Sequence, residues 1–324
     1  MPPFPTDAVE HALRAPSVHN TQPWRWRIGE DRVELHSDPD RHLPVTDPDR
    51  RDLVLSCGAA LHHLTVAMAA SGVAAAVERL PDPEDRTHLA TVSVGRGPAT
   101  GAELFPAIGR RRTERRRMSH RPVPEELLTE LADRARRAGA VLLPVTGADA
   151  RARLAESFLR AGRLQRAAPG YPAELRMWTH RLAAARDGVP AAAIARMRAQ
   201  TEGAPALRRF PGGRLPQGRQ RTGHGGPDDA AAYLVVATDG DGVLDRLRAG
   251  EATSAVLLAA TLAGLATTPL SQATEVPAVR RTLAGRVLRV PEQPQLVLRL
   301  GWPATLADPL PATPRRPLRA VLLP

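Results

Sequence analysis

Three short stretches hold the residue types that could do chemistry. The first is "RRRTER", where Arg111, Thr113 and Arg115 occupy alternate positions. In extended chain, alternate side chains point the same way. Two guanidinium forks and a hydroxyl on one side suit a phosphate, because arginine makes bidentate charge-assisted hydrogen bonds, each worth about 1.5–3 kcal/mol. Taken alone, the run reads first as a solvated charged segment. A second pair, Arg315 and Arg316, lies in a proline-rich tail where arginine has no helical role.

The second stretch is "APSVHNTQPWRWRI", residues 15 to 28. Asn20 and Gln22 stand near Trp24, and Pro16 and Pro23 stiffen the chain around them. Side-chain amides held that way suit preorganised recognition of a planar, amide-bearing group. The plain alternative is a packed turn with Trp24 in the core. The third stretch, "TTPLS" from Thr267 to Ser271, follows an apolar helix at a glycine and reads as a turn. It is either a simple helix stop or a loop whose backbone N–H groups face a ligand.

Other chemistries lack their residues. There is no CxxC, HExxH, GxSxG or phosphate-binding Walker loop, no GxGxxG after a strand, and the ten histidines are scattered. No metal site is expected. His62 and His63 on an alanine-rich helix read as packing or surface residues. The single cysteine, Cys57, reads as a buried small hydrophobe. With one cysteine no internal disulfide forms, which fits a reducing compartment and makes the cytoplasm the default. The opening "MPPFPTDAVEH" is not a signal peptide in composition, and the apolar run from Ala252 reads as a buried helix, so no membrane is expected.

The net charge of +11 would suit a polyanion. However, the sequence has no lysine, and arginine, alanine, 32 prolines and 25 glycines together point to a coding bias. Nucleic-acid binding would want aromatics among the arginines. Only four Trp, four Phe and two Tyr exist, mostly away from the clusters, so no nucleic-acid partner is expected.

The elements that must position these stretches follow from periodicity. Residues 7 to 14 read as a helix capped by Thr6. "WRWRI" and "VELH" read as a hairpin around "GEDR". Residues 52 to 72 read as a long helix stopped by Gly72, followed by strands at "VAAAVERLP" and "HLATVSVG". A helix runs into the arginine cluster. An amphipathic helix at "PEELLTELADRARRAG" and a strand at "AVLLPVT" come next. Residues 149 to 202 read as helical and exposed, and 203 to 227 as a Gly/Pro/Arg-rich loop. "AAYLVVATD" is a strand, 242 to 264 helical, "VPAVRRTLAG" a helix and "PQLVLRLG" the last strand. The tail reads as extended. Two alanine-rich helices, each ending in glycine (Gly72, Gly264) and each followed by an alternating strand closed by glycine (Gly95, Gly301), form a weak internal repeat. If the repeat is real, one chain imitates a symmetric dimer.

"APSVHNTQPW" resembles the Ala-Pro-Ser-x-x-Asn-x-Gln-Pro-Trp signature of the FMN-dependent nitroreductase family. "RRRTER" resembles that family's phosphate motif, and "GLATTPLS…PQLVLRLGW" with "TPRRP" resembles its C-terminal half. Family members normally open with the phosphate motif; here the Pro-Ser loop comes first, as in the Acg-like branch. The resemblance implies an α+β fold of antiparallel-rich mixed sheets flanked by helices, in two pseudo-repeated halves imitating a homodimer. The halves would be residues 1–100, carrying the Pro-Ser loop, and 101–324, with a helical and loop lid insertion at about 160–227.

The resemblance also implies the site. Pro16, Ser17, Val18, His19, Asn20 and Gln22 would line FMN from one half. Arg111 and Thr113 would hold its phosphate with Arg315 or Arg316, and Arg115 would reach its pyrimidine edge. Backbone groups of Thr267, Thr268, Pro269, Leu270 and Ser271 would face flavin N5. One FMN would bind per chain, because each half lacks what the other has, and a monomer would suffice. NAD(P)H would be co-substrate and a nitroaromatic, quinone or similar small molecule the acceptor. No side-chain acid or base would be required. The alternative is a non-catalytic FMN storage protein whose lid, with Tyr171, Trp178 and Phe210, closes the flavin site.

Overall fold

The computed structural model describes residues 5–196, 205, 207–216, 229–304 and 308–324. The first part of the chain holds α1 (Thr6–Ala12), the hairpin β1 (Trp24–Ile28) and β2 (Arg32–Ser37), the long helix α2 (Arg51–Ala70), and β3 (Ala75–Arg79) with β4 (His88–Val94). Thr6 is itself the first helical residue and no side chain caps α1. Next come α3 (Phe105–Arg110), α4 (Glu125–Arg137), β5 (Val141–Pro144), α5 (Ala148–Ala167) and α6 (Tyr171–Thr179). The last part holds β6 (Ala232–Thr238), α7 (Val243–Leu262), β7 (Ala266–Leu270), α8 (Gln272–Glu275), α9 (Pro277–Thr282) and β8 (Gln293–Gly301).

The strands form two four-stranded antiparallel sheets, ordered β1-β2-β4-β3 and β5-β6-β8-β7. The two orders are the same pattern, and in each a long helix, α2 or α7, lies between the second and third strands in chain order. Each sheet also slips register in its second strand, at Leu35/His36 and at Val236/Ala237. Both helices end with a glycine one residue past the cap, Gly72 at φ +77° and Gly264 at φ +83°. Glycine adopts that left-handed turn without a Cβ clash, and the chain reverses into an edge strand.

The helices cross at Gly58 and Gly250, where backbones meet directly. Leu55 of α2 lies in the core of the second sheet, beside Leu234, Leu296 and Leu298. Leu247 of α7 lies in the core of the first, beside Trp24, Leu35 and Leu61. Each half thus inserts a leucine into the other, at about 2 kcal/mol of apolar burial apiece. The tail crosses back as well: Trp26 donates its N–H to Val321 O at 2.8 Å, and Val321 is fully buried in the first core. The tail is not wholly extended, since Leu318–Ala320 makes one 3-10 turn.

Among the described residues, α2 alone is long and apolar enough to cross a membrane, but 83% of it is buried inside the fold. Its crossing with α7 accounts for that composition.

The expected turn after α7 also fails. Residues 267 to 271 are not a turn: Thr267, Thr268, Pro269 and Leu270 belong to β7, paired with Leu300, Arg299, Leu298 and Val297. The chain turn is made entirely by Gly264, which frees the β-branched pair Thr267-Thr268 to extend. Pro269 is tolerated because β7 is an edge strand, where one missing N–H breaks no inner ladder.

Candidate functional site

A cavity opens between α2, α7 and β7. Its innermost void measures about 110 Å³, or about 880 Å³ with the opening to solvent. From the first half it is lined by Pro16, Ser17, Val18 and His19, with Asp52 and Ser56 of α2. From the second half come Thr113 and Arg115, and Thr268, Pro269, Leu270 and Ser271 at the end of β7. So the three sequence-predicted stretches do meet, but not with every residue.

The loop at 16–22 is held from below. Val18 donates its N–H to Ser56 Oγ at 3.1 Å, and Gln22 its N–H to Ser17 Oγ at 2.9 Å. His19, Asn20 and Gln22 take φ of 46°, 55° and 52°, a left-handed run that non-glycine residues adopt only at a cost of about 1–3 kcal/mol each. This turns the His19 ring onto Phe210, edge to face at 5.3 Å between centroids. Neither His19 ring nitrogen has a partner. Burial, aided by Arg208, pushes its pKa down to about 3, so the ring is neutral.

Asn20 and Gln22 do not line the cavity. Asn20 Nδ2 donates to Gly188 O at 3.0 Å and to Pro314 O at 3.2 Å. Gln22 Nε2 donates to Arg186 O at 3.0 Å, and Gln22 Oε1 accepts from the Arg316 N–H at 2.8 Å. The two amide nitrogens and the Gln22 oxygen fasten the loop to residues 186–188 and to the tail, while Asn20 Oδ1 is buried without a hydrogen-bond partner. A side-chain amide satisfies two backbones at once, and buried polar groups are mostly paired.

The arginine motif lies along the free edge of β7. Thr113 bridges Thr267, the Glu114 N–H donates to Thr267 O at 2.8 Å, and Thr268 Oγ1 donates to Glu114 O. Thr113 and Arg115 face the cavity, and Arg115 Nη1 reaches Ala193 O at 2.9 Å. Burial pushes the Arg115 pKa down to about 10. Arg116 is no solvated charge: it clamps the Glu114 carboxylate bidentately at 2.9 and 2.7 Å, with both side chains buried.

Arg111 turns instead into an adjoining cleft of about 570 Å³, together with Arg14, Arg112, Arg315 and Arg316. Arg111 is 5% exposed, yet its Nε and Nη1 have no hydrogen-bond partner. Arg112 Nε and Arg315 Nε are orphaned too. Burial, then mutual repulsion, pushes Arg111 down to about 10 and Arg315 to about 9. Arg316 differs: it donates from Nη2 to Ala320 O at 2.5 Å and pairs with Asp38 at 3.5 Å. A buried cationic cluster with free donors demands an anion.

Over the cavity lie Leu207, Arg208 and Phe210. Arg115 sits over the Phe210 ring at 5.4 Å. Tyr171 accepts from Arg208 at 2.6 Å, and Trp178 packs against Arg41 and Arg181, at 5.3 and 5.0 Å from its ring, and does not line the cavity. The expected lid at 160–227 also includes 197–204, 206 and 217–227, which lie outside the described residues.

Across the α2–α7 crossing lies a wider crevice of about 1040 Å³. Arg248 and Glu251 of α7 line it at the helix positions that Ser56 and Ala59 hold on the other side. Arg79 clamps Glu251 there, at 2.8 and 2.7 Å.

Sequence reasoning missed Asp52, Ser56, Arg14, Arg112, Arg208 and Glu275. An aspartate in the first turn of a helix is commonplace because it complements the helix dipole, so nothing in the sequence marks Asp52. His36 and His88, far apart in sequence, stack at 4.4 Å beside Glu34. The ligand atoms of Glu34, His36 and His88 all lie within 4.8 Å of one another, a grouping that sequence spacing did not suggest, and Arg27 also pairs with Glu34 at 2.6 Å. His62 and Cys57 are packed as expected; His62 bonds Ser254 Oγ at 2.8 Å.

No protein-family model matches the chain. It is 42% identical over 319 residues to a Mycobacterium tuberculosis protein bearing the provisional name NAD(P)H nitroreductase Rv3131, covering 96% of this chain and 88% of that one. It is 37% identical over 324 residues to the same organism's acg, also provisionally named an NAD(P)H nitroreductase, covering 97% and 93%. The Mycobacterium smegmatis FMN-dependent nitroreductase NfnB, solved with NADPH, is similar over 68% of this chain and 96% of its own, at 19% identity and a TM-score of 0.40.

Proposed function

The chain belongs to the nitroreductase family, and from that footing we propose that it is an FMN-binding oxidoreductase with one flavin site per chain. Once bound, FMN supplies hydride chemistry, taking electrons from NAD(P)H and passing them to a nitroaromatic, quinone or similar small acceptor. The observation that carries the reading is Arg111: buried, unpartnered at two nitrogens, and surrounded by other guanidiniums. A phosphate group satisfies those donors and cancels their repulsion.

In this reading Arg111, Arg112 and Arg315 hold the phosphate. Arg316 acts by anchoring the tail to Gln22 rather than by binding. Pro16 to His19, Thr113, Arg115 and the end of β7 enclose the ring system. Arg115 is a cation beside the ring pocket, and a cation there favours the reduced, more negative flavin. Asn20 and Gln22 hold the enclosing loop in its left-handed form.

The two matching sheets and the crossed helices support the further reading that the chain is a covalent equivalent of a two-subunit assembly. The second crevice then corresponds to a lost site, because the Arg79–Glu251 pair and Arg248 occupy its inner wall. A monomer is sufficient.

Flavin storage without turnover is the second reading. It is favoured by Leu207, Arg208 and Phe210 lying over the cavity and by the Asn20–Gly188 link that fastens this segment. The two readings separate when the FMN-loaded protein meets NADPH without oxygen. Rapid bleaching of the yellow colour supports the reductase, and persistent colour supports storage. A chain that takes up no FMN refutes both.

A further inference from the structure

The cavity wall holds a carboxyl group that the flavin reading leaves without a task. Asp52 lines the cavity, is 4% exposed, and its Oδ2 has no hydrogen-bond partner. Among the described residues no arginine pairs with it. Its neighbour is Glu275, whose negative charge adds to burial in raising the Asp52 pKa and whose side chain is wholly buried.

Glu275 is saturated with donors. Arg208 pairs with it, Gln165 Nε2 donates to Oε2, and Ser271 Oγ donates to Oε1 at 2.6 Å. Burial opposes its charge, but Arg208 together with His19 and the Ser271 hydroxyl outweighs burial and lowers the Glu275 pKa. Two adjacent carboxyls cannot both stay charged in a buried site. Since Glu275 has the cation, Asp52 must take the proton.

We propose that Asp52 is the acid of this cavity, holding a proton against Glu275 and delivering it to the molecule reduced there. This rests on the flavin reading, which supplies the reductant. The acceptor takes its electron pair as hydride from the reduced cofactor. The Asp52 O–H bond breaks, its proton forms the second new bond on the acceptor, and the carboxylate left behind is reprotonated from water. The transfer step then needs no free proton to enter past Leu207 and Phe210; the Asp52 proton is replaced from water once the product has left.

The groups facing Asp52 agree with this. Burial, then the charges of Asp47 and Glu275, raise its pKa well above the ordinary carboxylate value, and only Arg51 opposes them. His19, close to Glu275, is neutral and cannot supply the proton at physiological pH.

The test uses infrared spectra of the full chain at pH 8, with and without ¹³C-labelled aspartate and without added cofactor. The expected result is a protonated aspartate C=O band that shifts with the label and disappears in Asp52→Asn but persists in Asp47→Asn. No such band in the wild type overturns the proposal, whether or not FMN binds and whether or not the variants fold. In the FMN-loaded protein, Asp52→Asn should slow quinone reduction about 10²-fold and flatten its pH profile. An unchanged profile also overturns it. Failure to bind FMN refutes the flavin reading but leaves the infrared result standing.

Discussion

Gly58 of α2 and Gly250 of α7 touch backbone to backbone: a Cβ on Gly58 would lie 2.0 Å from Leu247 O, and one on Gly250 would lie 2.1 Å from Leu55 O. The two halves therefore approach to within a methyl group of the closest distance backbones allow. The cavity wall depends on that approach, because Ser56 and Asp52 stand on the α2 turns beside it. Gly58→Ala should force the helices apart and cost at least about 1–3 kcal/mol. The check is a lower thermal midpoint by circular dichroism, together with weaker FMN uptake. Exposed Gly109 has nothing near its Cβ position, and Gly109→Ala should leave the midpoint unchanged or raise it slightly.

Arg111→Met should act with opposite signs in two measurements. Without ligand it removes a buried charge that lacks a partner, so the chain should become more stable. With FMN it removes at least one charge-assisted bond, weakening binding by about 10–150-fold. Thermal shift with and without FMN reads both. Loss of stability without ligand would count against an anion-demanding cleft.

Arg79→Met should leave the Glu251 carboxylate buried and uncompensated. Breaking a buried pair costs about 3–5 kcal/mol, and less here because the Arg79 side chain is 29% exposed. Arg79→Met with Glu251→Leu should recover most of the loss. Urea unfolding of the two variants checks this. If the double variant stays as unstable as the single one, the pair does more than fill the second crevice.

The buried histidines and carboxyls set opposing pH dependences. Burial pushes His62 down to about 4, so between pH 6.5 and 4 the unfolded chain binds the proton and the folded one does not. That contribution is complete above pH 6.5 and is lost as pH falls toward 4. Asp47, pushed up to about 7 by burial, has the reverse sign: its folded form keeps the proton longer, so stability falls as pH rises from about 4 to 7. His62→Gln should flatten the acid loss and Asp47→Asn the opposite slope, read as thermal midpoints across pH 4–8. A change in neither slope contradicts the buried titrations.

Much of this was legible in the sequence. Hydrophobic alternation located the strands, Gly72 and Gly264 marked both helix ends, and the Pro-Ser loop, the arginine motif and residues 267–271 were singled out before any geometry. What was not legible required distance. The strand character of Thr267 and Thr268 depends on β8 and on Thr113, which are remote in sequence. Asn20 and Gln22 have the right chemistry for a ligand, but their actual partners, Gly188, Arg186 and Arg316, come from segments that sequence spacing does not connect. Asp52 and Glu275 are ordinary carboxyls until folding buries them near each other, with Arg208 paired to Glu275 and no arginine paired to Asp52 among the described residues.

The central claim is that one chain closes a single flavin site from two unlike halves. Equilibrium titration of cofactor-free protein with FMN, followed by absorbance and by the mass of the complex, tests it most directly. The account predicts saturation at one FMN per monomeric chain, with uptake strongly weakened in both Ser17→Trp of the first half and Arg111→Met of the second. Two equivalents per chain, no uptake, or binding that survives either substitution unchanged would contradict it.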